Sequence, residues 1–115
     1  MKFTVKRSEW LRGEGSGNSY LIRKSDGKKC CIGFVGQQCG ISDKTLTGRQ
    51  DIASFKKSET NNWLPEASLW PAWMKSGDIA AAYEANDDKN SSDRIREAEL
   101  RGIFVAHGDE IEFVD

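Results

Sequence analysis

The chain has 115 residues, 37% of them apolar and 30% charged, with a net charge of −1. That is the size of one domain, 1–115, with apolar side chains enough for one core, which excludes two separate cores and disorder along the whole chain. No stretch approaches the roughly 20 apolar residues of a membrane span, and residues 1–7 lack an apolar signal region, so a protein kept in the cytoplasm that makes it is expected.

Lys2-Phe3-Thr4-Val5-Lys6 alternates polar and apolar residues, which predicts a strand with Phe3 and Val5 inward. Ser8 is placed to cap a short turn over Glu9–Arg12, stopped at Gly13. Gly13 to Asn18 reads as a loop, and Ser19–Arg23 as a second strand closed by the turn 24–28. From Lys29 to Gly40 the apolar residues Cys31, Ile32, Phe34, Val35 and Cys39, with Gln38, share one arc of a helical wheel. Gly33 and Gly36 fall on the opposite side, and Gly40 supplies a stop, so a helix is predicted there.

Ser42 and Asp43 can cap a further short helical turn through Leu46. Between Arg49 and Gly77 the periodicity fades, with Pro65 and Pro71 breaking any long element and Trp63, Trp70 and Trp73 spread through it. Connections of this length in a small domain are often functional. Asp78–Ala85 fits either a helix or a strand. Ser91 or Ser92 then caps a helix whose stripe is Leu100, Ile103 and Phe104, with Ile95 at its edge and His107-Gly108 at its end. Glu110 to Asp115 alternates again, a final strand with Ile111 and Phe113 inward. Together these elements predict an α+β fold: a small, mainly antiparallel sheet including both terminal strands, packed against two or three helices.

The motifs for chemistry are weak when set beside their structural roles. Gly13-Glu14-Gly15-Ser16-Gly17 lacks the Lys-Ser/Thr pair and following helix of a phosphate loop. Cys30, Cys31 and Cys39 lack the spacing of a zinc knuckle and read as buried free thiols. Asp88, Asn90, Ser92 and Glu99 keep a calcium-loop register, but Asp93 stands where that loop needs glycine. His107, the one histidine, sits where a helix C-terminus welcomes positive charge. No metal, cofactor or catalytic residue is therefore expected, and the protein is read as no enzyme.

Charge and aromatic residues point instead to binding. Residues 1–57 carry 12 Lys/Arg against 5 Asp/Glu, and residues 58–115 carry 5 against 13. The tryptophans either roof the core or form a partner site, since Trp and Arg dominate binding hot spots. Trp63, Trp70, Trp73, Arg12 and Arg49 are the candidate partner-binding residues.

Trp10-Leu11-Arg12-Gly13, Lys29-Cys30-Cys31-Ile32-Gly33-Phe34, Gln38-Cys39-Gly40-Ile41, Asn86-Asp87-Asp88, Arg96-Glu97, Phe104 and Glu112-Phe113-Val114-Asp115 occur in this order. The set resembles a family of small proteins encoded by bacteriophages and prophages, over most of the chain except about Arg49 to Trp73. The resemblance implies a context rather than a site: an accessory phage protein acting inside the host (bacterial) cytoplasm. The expected function is non-enzymatic binding that inhibits a bacterial defence or host complex, with a bacterial protein as partner. The alternatives are a sponge that sequesters a cyclic-nucleotide-type defence signal through a nucleotide ligand, or a small hydrolase.

Overall fold

The computed structural model describes residues 1–56 and 62–115, and the part of the long connection at 57–61 lies outside them. Among the described residues the fold is α+β: strand β1 (Lys2–Lys6), helices α1 (Cys31–Gln38), α2 (Asp43–Leu46), α3 (Ala80–Asp87) and α4 (Asp93–Ala106), and strand β2 (Glu110–Val114). No described helix is long and apolar enough to cross a membrane.

The terminal strands pair as their alternation requires. Phe3 lies opposite Ile111 and Val5 opposite Phe113, all four buried. The pairing is parallel, which corrects the expected mainly antiparallel sheet. A period of two says which side chains face the core but nothing about strand direction. Direction follows from the connection: α4 packs on β2, and the turn at His107-Gly108 returns the chain to the start of β1, where the Glu110 N–H donates to the Met1 carbonyl at 2.8 Å. Parallel strands need such a crossover, and the whole body of the protein supplies it.

Two further expectations are corrected. Ser8 caps no turn: a 3-10 turn covers Arg7–Glu9 and the chain leaves it extended at Trp10. Ser19–Arg23 forms no strand; Ile22 makes one isolated parallel bridge to Thr47. The segment is pinned under α1 instead, with the Leu21 N–H donating to the Arg49 carbonyl (2.7 Å) and the Tyr20 carbonyl accepting from Cys30 (3.0 Å).

Helix α1 is the hub of the core. Cys31 to Gly36 are all buried, so the glycine side is as dry as the apolar arc. At Gly33 a Cβ would stand 1.8 Å from the Leu21 carbonyl oxygen, and at Gly36 2.5 Å from the Trp70 ring. Glycine is what lets backbone and indole approach this closely. Gln38, on the arc in sequence, is exposed at the helix end. Its side-chain amide accepts from the Thr4 N–H (2.9 Å) and donates to the Thr4 carbonyl (2.6 Å). One glutamine thus satisfies the outer edge of β1 as a neighbouring strand would.

The remaining helices follow their local signals. Ser42 caps α2 through the Thr45 N–H, and Ser92 caps α4 through the Ile95 N–H. The ambiguous Asp78–Ala85 stretch resolves into a 3-10 turn, Gly77–Ile79, running into α3.

Removing residues 109–115 is expected to abolish the cooperative thermal melt. It strips Ile111 and Phe113 from the core, each about 1.5–3 kcal/mol of burial, and leaves β1 with an unpaired edge in a fold of ordinarily 5–15 kcal/mol. A truncated chain melting within a few degrees of the intact one would refute the terminal pairing.

Candidate functional site

The connection after α2 stays irregular because proline and capping side chains interrupt it. Asp51 caps the turn Ile52–Phe55, accepting from the Ser54 N–H at 3.0 Å. Lys56 and Trp63 form an antiparallel bridge across the undescribed residues. Pro65 opens the turn Pro65–Leu69, Pro71 precedes the turn Ala72–Lys75, and Ser76 caps the entry to Gly77–Ile79.

This path separates the three tryptophans. Trp70 is only 2% exposed and meets Phe55 edge-on, with ring centroids 5.7 Å apart. It is core, and no partner reaches it without rearrangement. Trp73 lies flat on His107 at 4.3 Å and edge-on to Phe104 at 5.2 Å. Its indole N–H donates to Asp109 at 2.9 Å, so this ring closes over the C-terminal end of α4. Trp63 is half-buried and borders a cleft of about 240 Å³ with Ile52, Met74, Ile79 and Tyr83.

Charge flanks the aromatic rings of that cleft. Lys56 Nζ stands 4.9 Å from the Trp63 ring centroid, and Lys75 and Asp51 line the same opening. The Tyr83 hydroxyl oxygen accepts from the Ile52 N–H at 2.9 Å, and burial pushes the phenol well above its usual range. Tyr83 is thus a neutral donor on the cleft wall, a residue sequence reasoning missed. Its signal was present: Ile79, Tyr83 and Asn86 follow helical spacing once Asp78–Ala85 is read as a helix.

The two arginines serve the fold. Arg12 grips both Asp93 carboxylate oxygens (3.2 and 2.8 Å), donates to the carbonyls of Arg7 and Trp10, and lies 4.8 Å from the Trp10 ring. It ties the turn after β1 to the start of α4. Arg49 donates to the carbonyls of Thr45 (2.8 Å) and Ser54 (2.7 Å) and covers Phe55. The structure therefore joins neither arginine to Trp63 around the cleft, and Trp63 alone of the five candidates lines it.

Other chemistry-bearing groups are tied up as well. The glycine-rich loop is held to α3, with the Gly13 N–H donating to the Asn86 carbonyl and Gly15 to the Asp87 carbonyl, each at 2.9 Å. All three cysteines are free; Cys30 and Cys31 are buried, whereas Cys39 is only half-buried, less than its place on the arc suggested. Burial pushes the Cys30 thiol up to about 12 and the Cys31 thiol well above its usual value, so both are protonated and poor nucleophiles. Among the described residues no three His, Cys, Asp or Glu side chains converge on one ion position. Compared with protein-family models, curated proteins and solved structures, the chain finds no significant match.

Proposed function

We propose that the chain is a non-enzymatic binding protein of phage origin that inhibits a bacterial defence or host complex, with Trp63 as its anchor. The observation that carries this reading is the placement of Trp63: half-buried, and lining a cleft with both apolar and charged side chains. A large amphipathic ring that is only partly dry gains most by desolvating against a partner. Among the cleft's lining residues, Ile52, Met74 and Ile79 suit an apolar side chain, and Lys56 and Lys75 suit an acidic neighbour to that side chain. The resemblance to phage-encoded proteins supports the host context.

A second reading, sequestration of a cyclic-nucleotide-type signal, is favoured by Lys56 beside the indole and Lys75 lining the same cleft. A base can stack there while its phosphate meets ammonium groups.

Trp63→Ala is expected to weaken the complex with an identified bacterial partner by about 2 kcal/mol or more, roughly thirtyfold. The fold should persist, because the ring already sits partly in water. Isothermal titration on the purified pair reads the affinity, and thermal melting reads the fold. A melting point that rises with a cyclic dinucleotide, and stays fixed in Trp63→Ala, would favour sequestration. Unchanged affinity for every partner in a folded Trp63→Ala variant would sink the anchor role.

A further inference from the structure

Strands β1 and β2 form a sheet of two, so each has one outer edge. The Glu110 N–H reaches the Met1 carbonyl, and the parallel register then turns the backbone of Glu110, Glu112 and Val114 toward β1. The N–H and C=O groups of Ile111 and Phe113 therefore point away from it. On β1 the matching outward residue, Thr4, has both backbone groups bonded by Gln38. Strand β2 has no such cover. Among the described residues nothing bonds the outward N–H or C=O groups of Ile111 and Phe113.

A groove of about 230 Å³ lies against β2, lined by Glu110, Ile111 and Glu112, by Arg101 and Val105 of α4, and by Lys2. Val105 is 64% exposed. An open strand edge beside an exposed apolar side chain is where a further strand can add.

Charge selects which strand. Residues 109–115 carry four acids and no base. Glu110 and Glu112 alternate with the buried Ile111 and Phe113, so both carboxylates stand on the wet face of β2. Two copies pairing β2 with β2 over its full length would run antiparallel and set Glu112 opposite Glu112 of the other copy, which is destabilising. A basic strand gains where a second copy loses. The two cations of the groove are already engaged, Lys2 by Glu112 at 3.1 Å and Arg101 by Glu97 at 3.4 Å. Glu110 makes no ion pair among the described residues.

The protein's own β1 shows the pattern that β2 accepts. In Lys2-Phe3-Thr4-Val5-Lys6 the polar side chains Lys2 and Thr4 meet Glu112 on the wet face, while Phe3 and Val5 are buried. We propose that the outer edge of β2 binds an extended peptide segment in which Lys or Arg alternates with apolar residues, as a third strand. Its backbone bonds Ile111 and Phe113, its basic side chains face Glu110 and Glu112, and its apolar side chains cover Val105. The proposal does not depend on Trp63.

The probe is acetyl-Thr-Lys-Val-Lys-Val-Lys-Thr amide, titrated into the full chain at constant ionic strength and followed in ¹H–¹⁵N spectra. Saturable shifts at Ile111 and Phe113 are expected. With the peptide at about ten times its Kd, their amide hydrogens should exchange about tenfold more slowly. The same peptide with Glu in place of Lys should not bind. Glu110→Lys, at an exposed site, should weaken the basic peptide about fivefold. Should that variant fail to fold, Val105→Ser serves, with a loss of about threefold expected. Shifts that never saturate, unchanged exchange at Ile111 and Phe113, equal binding of the Glu peptide, or full affinity in a folded variant would overturn the proposal. So would lost protection at Phe3 and Val5, because the peptide would then be replacing β1. Dimerisation of the free chain in analytical ultracentrifugation, with Ile111 and Phe113 protected, would assign the edge to a second copy and overturn it as well.

Discussion

Asn86→Ala is expected to cost about 4 kcal/mol of folding stability, more than any surface substitution in the chain. Asn86 is 1% exposed and uses its whole hydrogen-bonding capacity. Its Oδ1 accepts from Trp10 Nε1 (2.8 Å) and from the Cys31 N–H (3.0 Å); its Nδ2 donates to the Leu11 carbonyl (3.0 Å) and to Asp87 (2.8 Å). Cys31 opens α1, and the preceding Cys30 makes no side-chain cap, so Asn86 performs the capping role from 55 residues away. Alanine strands an indole N–H, a helix N–H and a carbonyl in the interior at roughly 1–3 kcal/mol each, partly recovered by water entering the gap. Asn86→Asp should fare no better, since a carboxylate gives nothing to the Leu11 carbonyl and faces Asp87. With a urea slope near 2 kcal/mol per molar, the unfolding midpoint should fall by about 2 M. A fall under 0.5 M would show that this hub does not hold α1 in place.

Gly33→Ala and Gly102→Ala are expected to move stability in opposite directions. Both glycines lie inside helices, where alanine is intrinsically better by about 1 kcal/mol. At Gly102 nothing stands within 4 Å of the added methyl, so a gain of about 0.5–1 kcal/mol, a few degrees in melting temperature, should appear. At Gly33 the methyl would meet the Leu21 carbonyl oxygen at 1.8 Å, a backbone atom that no rotamer change can move. Helix α1 or the segment beneath it must shift by more than an ångström, and a net loss of about 3 kcal/mol or more is expected. Differential scanning calorimetry of the two variants decides the matter. Equal melting points for both would mean that α1 does not rest on Leu21.

What could be read from the sequence is what local pattern encodes. Alternation in Lys2–Lys6 and Glu110–Val114 identified Phe3, Val5, Ile111 and Phe113 as core, because a strand has only two faces and one is wet. Ser42, the Ser91-Ser92 pair and the Leu100–Phe104 stripe placed α2 and α4, because cap bonds close within one turn; the structure chose Ser92 of the pair. The candidate site was legible only as a region. Its tryptophans all look alike in sequence, and Arg12 and Arg49 look like free surface charge.

Partners distant in sequence decided the rest. Strand direction depended on where α4 returns the chain, which no period-two pattern records. Trp70 became core because Gly36 leaves room for its ring, Trp73 became a lid because Asp109 takes its N–H, and Trp63 was left on a cleft rim. Asn86, in the polar run Asn86-Asp87-Asp88 that reads as a turn, became a buried, fully bonded side chain because Trp10, Leu11 and Cys31 all close around it. A residue's type limits the bonds it can make; which bonds it makes is set by what the folded chain brings within 3 Å, and only the tertiary structure does that.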